Sequence, residues 1–289
     1  MKLVRCTDGG APFWAIVDVD HGLLRPIEGE INDWGPALTA SIGRGDAPDR
    51  MESVLRFNGS VRPLSSVRLL PPVARTNRVV VAGANYAKHL EADFGLKTHS
   101  QPIAFLKAYG ALIGANDPIR YPPLTRELDY EVELVVVIGA ERVDRSDPLS
   151  SVLGYTVGND VSARDLQRSG PPGVGMDLFA AKSADQTTGV GPWIVTRDEF
   201  GQGSPKLRLL LRVNGEIRQD GNTADMTWDV GYLVRFVDER SSFTCGDILF
   251  TGSPAGTAQG SGRFLKVGDL VEAEIPGIGV LRNRVQAAD

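Results

Sequence analysis

Leu128-Asp129-Tyr130-Glu131-Val132-Glu133-Leu134-Val135-Val136-Val137-Ile138 is the most strand-like segment of the chain. A period of two sets Glu131 and Glu133 on one face, with Val135 and Val137 following them. Two anions then point the same way beside apolar neighbours. At that spacing each raises the other's proton affinity, and burial makes ionisation costlier still unless a cation lies between them. An oxygen-liganded Mg²⁺, Mn²⁺ or Ca²⁺ relieves the conflict. A strand at a sheet edge, with its glutamate face in water, accounts for the same residues equally well at this point.

A second acidic cluster follows in Gly154-Tyr155-Thr156-Val157-Gly158-Asn159-Asp160-Val161-Ser162-Ala163-Arg164-Asp165-Leu166-Gln167. A strand ending near Asn159 puts Asp160 at its tip, a common position for a ligand. Ser162 with Asp165 three residues on reads as the cap of a short helix. Arg164 and Gln167 then share one helical face, both able to grip a carboxylate or carbonyl. A surface turn with both side chains in solvent is the competing reading.

Outward from these segments the pattern is mostly strands. Residues 1–70 read as a small N-terminal α+β domain, with a hairpin from Phe13 to Val19, a turn at Asp20-His21-Gly22 and a return at Leu23-Leu24. Val61 to Arg75, containing Pro63 and Pro71-Pro72, reads as a linker. The larger domain spans 71–289, with strands expected at Arg78 to Ala82, Leu134 to Ile138, Gly154 to Val157, Trp193 to Val195 and Leu207 to Val213. Asn214-Gly215 is a hairpin turn signal. One helix is expected between Met226 and Arg240, where Trp228, Tyr232, Leu233 and Phe236 make an apolar face. Gly246-Asp247 and Gly268-Asp269 each launch a further strand. The sum is a β-rich α+β fold of roll or sandwich type.

Composition narrows the function. A net charge of -5 without a basic run argues against nucleic acid, and no basic amphipathic segment suggests a membrane surface. Cys6 and Cys245 form no CxxC pair, so a disulfide framework or structural zinc is not indicated. The N-terminal MKLVRCTDGG lacks the apolar core of a secretory signal, so a cytoplasmic location is expected. GxGxxG, GxxxxGK[ST], HExxH and GxSxG are all absent. Carboxylate chemistry remains.

Six ordered segments together resemble the signatures of the fumarylacetoacetate hydrolase family: Asn85-Tyr86-Ala87-Lys88-His89, Phe105-Leu106-Lys107, Asp129 to Leu134, Asn159 to Gln167, Ala181-Lys182-Ser183 and Thr251-Gly252-Ser253-Pro254-Ala255-Gly256. The resemblance, to acylpyruvases and 2-hydroxyhepta-2,4-diene-1,7-dioate isomerases, runs from about residue 75 to the C-terminus. It implies a mixed β-sandwich roll, commonly a homodimer, with Mg²⁺ or Mn²⁺ held by Glu131, Glu133 and Asp160. It further implies that Arg164, Gln167 and Lys182 hold substrate and stabilise charge, that His89 is the base, and that Tyr86 and the Thr251-Gly252-Ser253 turn line the pocket. The implied substrate is a small oxo acid. Hydrolytic C–C cleavage of a 2,4-dioxo acid ranks first, with decarboxylation or isomerisation on the same site as rivals; a non-catalytic carboxylate-binding protein is the reading from another class.

The chain departs from the family where a Glu often follows the base histidine by three positions, because Ala92 stands there. Asp93, at i+4, shares the face of His89 on a helix, whereas Glu91, at i+2, does not, so Asp93 is the expected partner. Gly170-Pro171-Pro172-Gly173-Val174-Gly175 reads as a loop that could cover the substrate.

Overall fold

The computed structural model describes residues 1–95, 97, 99–173 and 175–288. Its centre is the strand Val132–Ile138, buried at all seven positions. It pairs antiparallel with Val152–Asn159 on one side and Ile248–Phe250 on the other, which removes the edge-strand alternative. Both faces are covered, and the alternation is strict. Leu134, Val136 and Ile138 enter one core with Leu209, Leu211, Leu233 and Val271. Val135 and Val137 enter a second with Trp14, Trp34, Leu38 and Ile42. Truncating Leu134 to alanine would cost about 2–5 kcal/mol, because a residue packed on all sides cannot be replaced by relaxation of its neighbours.

The large sheet has twelve strands. Its main path runs from Arg62–Pro63 through Leu23–Ile27, Phe13–Asp18, Lys2–Thr7, Thr188–Thr196, Val152–Asn159, Val132–Ile138, Ile248–Phe250 and Val79–Gly83 to Ile103–Leu106. A five-stranded sheet of Glu216–Asn222, Arg208–Val213, Leu270–Ile275, Gly279–Ala287 and Ile119–Tyr121 packs over one face and completes the sandwich. The fold is therefore the β-rich α+β roll expected, with an N-terminal segment that carries both strands and helix. The Asn214-Gly215 hairpin forms as its sequence demands, with φ of 53° and 81° at the two residues.

Two local expectations need correction. Val61 to Arg75 is not a plain linker: Arg62–Pro63 pairs with Leu23–Leu24, and Arg68–Leu70 pairs with Arg5–Thr7. Pro63 is tolerated because its strand ends the sheet path, where a missing N–H breaks no ladder. Ser162 does not cap the short helix Arg164–Gln167; Ala163 occupies the N-cap position with no side-chain cap bond, and the Ser162 hydroxyl donates to the Asp160 carbonyl. The helix Ile31–Gly43 supplies the helical part of the N-terminal α+β segment and contains Pro36, ordinarily a helix breaker. It persists because Trp34, Leu38 and Ile42 bury one face, and Asp33 accepts the Glu30 backbone N–H at 2.7 Å. The expected C-terminal helix forms as Val230–Asp238, capped by Asp229. Among the described residues, no helix is long and apolar enough to cross a membrane.

Candidate active site

Glu131 precedes the central strand, Glu133 lies within it, and Asp160 directly follows the neighbouring strand. Antiparallel pairing brings the two segments together, and two bonds lock them. The Asp160 backbone N–H donates to the Glu131 carbonyl at 2.8 Å, and the Glu131 N–H donates to Asn159 Oδ1 at 3.0 Å. The three carboxylates each offer an oxygen, all within 4.8 Å of one another, and all three residues are buried.

Buried cations are woven through this floor. Lys182 Nζ donates to Glu131 Oε2 at 2.5 Å and Asp160 Oδ2 at 2.7 Å. Lys107 Nζ lies 2.8 Å from Asp160 Oδ1, donates to Thr188 Oγ1 at 2.8 Å, and also bonds the Lys182 carbonyl. Arg164 donates from Nε to Asp129 Oδ2 at 2.7 Å, from Nη1 to Gln167 Oε1 at 3.0 Å, and from Nη2 to Glu131. Among the described residues Glu133 has no such cation bond; its Oε2 accepts the Gly252 N–H at 2.6 Å. Glycine is needed at position 252, where φ is +92° and a side-chain Cβ would stand only 3.0 Å from the Asn85 Cβ.

The electrostatics follow from these contacts. Burial alone would raise Glu131, but the charges of Lys182 and Arg164 outweigh it and hold this carboxyl well below the usual range. Glu133 goes the other way, pushed well up by burial and then by the neighbouring Asp160 and Glu131. Burial depresses Lys107, whereas Asp160 and Glu131 overcome burial at Lys182 and raise it. Four buried carboxylates, Asp129, Glu131, Glu133 and Asp160, thus face three buried cations, Lys107, Arg164 and Lys182. An all-oxygen donor set with negative charge in excess and one glutamate without a countercharge suits a hard divalent cation.

Beside this floor, the helix Ala87–Phe94 presents His89, whose Nδ1 lies 2.7 Å from Asp93 Oδ2. The same oxygen accepts from Thr257 Oγ1 at 2.9 Å and from the Gly256 and Thr257 backbone N–H groups at 3.2 Å each. Burial opposes ionisation of Asp93, but these bonds and the histidine hold its carboxyl below the ordinary value. Glu91 is exposed.

A pocket of about 140 Å³ joins these groups. His89, Glu131, Glu133, Asp160, Arg164, Gln167, Lys182, Gly252 and Ser253 line it, as do Val81, Leu90, Phe94, Ile103, Phe105, Met176 and Leu178. Several expected site residues behave differently. Thr251 is off the wall, its hydroxyl donating to the Leu134 carbonyl at 2.9 Å. Tyr86 is also off the wall, buried at the start of the histidine helix, with a hydroxyl that finds no hydrogen-bond partner among the described residues. Arg164 braces Glu131 and Asp129 with the nitrogens expected to grip a substrate. Ser253 is on the wall, yet its hydroxyl donates to the Val132 carbonyl at 2.9 Å. Apart from Val174, which lies outside the described residues, the 170–175 stretch is turn and coil, and Met176 just beyond it reaches the pocket.

Sequence reasoning passed over four contributors. Lys107 and Asp129 stood inside quoted segments without a role; both are buried ions joined to the floor. Thr257 fixes Asp93. Asn85 donates to the Trp228 and Thr251 carbonyls at 3.0 and 2.8 Å and so holds the turn that carries Gly252. No spacing rule links these positions, which meet only through the fold.

Fold and site together define an enzyme-like pocket in which buried carboxylates lie beside a carboxylate-oriented histidine. Residues 78–286 match the family model described as fumarylacetoacetate (FAA) hydrolase C-terminal, and residues 1–72 match the model Rv2993c-like, N-terminal. The human mitochondrial oxaloacetate tautomerase FAHD2A is 37% identical over 229 residues, 78% of this chain and 71% of that protein. A solved 2-hydroxyhepta-2,4-diene-1,7-dioate isomerase from Mycobacterium marinum superposes with a TM-score of 0.76 at 33% identity, covering 99% of this chain and 98% of that one. The fumarylacetoacetate hydrolase of Exiguobacterium antarcticum superposes with a TM-score of 0.74, also at 33% identity, with both chains fully covered. The chain belongs to the fumarylacetoacetate hydrolase family.

Proposed function

We propose that this chain moves a proton at the carbon next to the keto group of a small 2-oxo acid, interconverting its keto and enol forms. The observation that carries the reading is one pocket whose floor is the Glu131, Glu133 and Asp160 triad and whose wall holds His89 anchored by Asp93. Mg²⁺ or Mn²⁺ held by those three carboxylates supplies Lewis acidity for a 2-oxo acid. With Nδ1 taken by Asp93, Nε2 of His89 is the ring nitrogen left to accept the proton and return it. Lys182 keeps positive charge at the floor, where enolate character develops. Gln167 accepts from Arg164 through Oε1 and retains its amide N–H₂ for the substrate.

Hydrolysis of a 2,4-dioxo acid, ranked first from the sequence, becomes the second reading. It uses the same residues but also needs a water held by His89, and it is favoured by the likeness to the Exiguobacterium hydrolase. Relatives named as a tautomerase and an isomerase favour the simpler proton transfer. The experiment is proton NMR in deuterated water with Mn²⁺-free, Mg²⁺-loaded enzyme and a panel of 2-oxo and 2,4-dioxo acids. Deuterium entering the carbon next to the keto group, lost on chelation, supports the proposal. Two fragments from a dioxo acid without such exchange would move the assignment to hydrolysis, and CO₂ release would move it to decarboxylation. Binding without any turnover would leave a carboxylate-binding protein.

A further inference from the structure

The pocket is divided by chemistry. Its ionic side is the carboxylate floor. Elsewhere on its wall, Val81, Leu90, Phe94, Ile103, Phe105 and Leu178 contribute hydrocarbon. Their placement follows from regular geometry: Ile103 and Phe105 are two apart on one strand, and Leu178 and Lys182 are four apart on the short helix Leu178–Lys182. That helix therefore carries its apolar residue to the wall and its ammonium to the floor. Phe94 meets His89 edge-on, with ring centres 5.2 Å apart, and lies 5.4 Å beneath the Arg164 guanidinium.

We propose that the substrate has a single carboxylate and an apolar tail, and that a second carboxylate on that tail is selected against. The inference rests on the reading of the floor as an oxo-acid site. Among the described residues of the pocket wall, the arginine and lysine are Arg164 and Lys182, and both are bound to floor carboxylates. His89 is bound to Asp93. His99 is exposed at the rim, where an ion pair contributes little. A tail carboxylate seated among Leu90, Phe105 and Leu178 would lose part of its hydration without gaining a free cation, whereas an alkyl tail of equal length would lose only unfavourable contact with water. The tautomerase relative is named for oxaloacetate, a dicarboxylate, so the inference separates this chain from it by tail chemistry and leaves the reaction type unchanged.

Two non-enolisable probes of nearly equal size test it: N-propyloxamate, with an apolar tail, and N-oxalylglycine, with a carboxylate tail, titrated calorimetrically into the Mg²⁺-loaded protein. N-propyloxamate should bind at least about tenfold more tightly, a discrimination typical of a hydrophobic pocket that offers no polar partner. Deuterium exchange into 2-oxopentanoate should exceed exchange into oxaloacetate in the same sense. The variant Leu178→Arg, with its circular dichroism spectrum unchanged, should shift the ratio toward N-oxalylglycine by about tenfold or more. Tighter binding of N-oxalylglycine by the unmodified protein overturns the inference while leaving the oxo-acid reading intact. An unmoved ratio in a folded Leu178→Arg also overturns it, and binding of neither probe removes both.

Discussion

The floor and the histidine helix reach the same pocket by opposite construction. The floor collects Glu131, Glu133 and Asp160 from one pair of adjacent strands and their ends and Asp129 from the short strand Leu128–Asp129 just before them, and balances them with Lys107, Arg164 and Lys182 from three separate segments. Every charge there is buried, so each depends on several others. The His89–Asp93 pair is local, a single i, i+4 contact on an eight-residue helix, steadied by Thr257. The difference teaches where damage will appear. Changes in the floor reach the fold itself, whereas changes in the pair reach the chemistry first.

Glu131→Gln tests this most severely. It leaves Lys182 and Arg164 facing a neutral amide in a buried site, and breaking such a pair costs about 3–5 kcal/mol. Urea unfolding should show that loss, and a loss below about 1 kcal/mol would mean that the floor is more open to water than its burial implies. Glu133→Gln is the instructive contrast within the floor. Burial and the neighbouring Asp160 and Glu131 all disfavour charge on Glu133, and the side chain holds no cation in place, so an amide there should cost less stability than Glu131→Gln. Divalent-ion affinity should nevertheless fall by more than the roughly 10–100-fold lost when an outer partner of a metal ligand is removed. Unchanged Mn²⁺ affinity in a calorimetric titration would dismiss the triad as a metal site.

The same contrast explains what could be read from the sequence. Glu131 and Glu133 were legible because strand periodicity alone sets them on one face, and the Asn214-Gly215 turn because its two positive φ angles suit so few residue pairs. Asp93 was legible because helical spacing separates it from Glu91. Lys107 was not, because its contact with Asp160 bridges segments far apart in the chain and a lone lysine ordinarily lies in solvent. Arg164 was legible as a site residue, but its bonds to Asp129 and Glu131 were not, since no pattern in the sequence pairs those positions. The helix Ile31–Gly43 was expected only as part of an α+β segment, without bounds, and it tolerates Pro36 because Trp34 and Leu38 are buried.

On the histidine side, Asp93→Asn should slow proton transfer about 100-fold, the low end of what a positioned acid–base group supplies, while Mn²⁺ affinity stays as it was. Glu91→Gln, at an exposed position, should leave the rate alone. A wild-type rate in Asp93→Asn together with a large loss in Glu91→Gln would show that Glu91 swings in during catalysis. No loss in either would remove the pair from the mechanism.

The smallest effect concerns pH. Asp93 has a lowered folded-state pKa, opposed by burial but carried by His89 and the Thr257 hydroxyl and backbone. An unfolded aspartate titrates near 3.9, so between that value and the lower folded value the unfolded chain binds more protons and stability rises with pH. The contribution is therefore complete above about pH 5 and is lost as pH falls through the folded pKa. Its size should be about 1.5–3 kcal/mol, as for hydrogen bonds to a charged group, and smaller to the extent that the site admits water. Asparagine cannot lose a proton, so thermal unfolding of Asp93→Asn should lie below that of the unmodified protein at pH 7, with the gap closing toward pH 3. A gap that stays constant across that range would mean that Asp93 holds the helix by shape alone and that its charge is not what fixes the histidine.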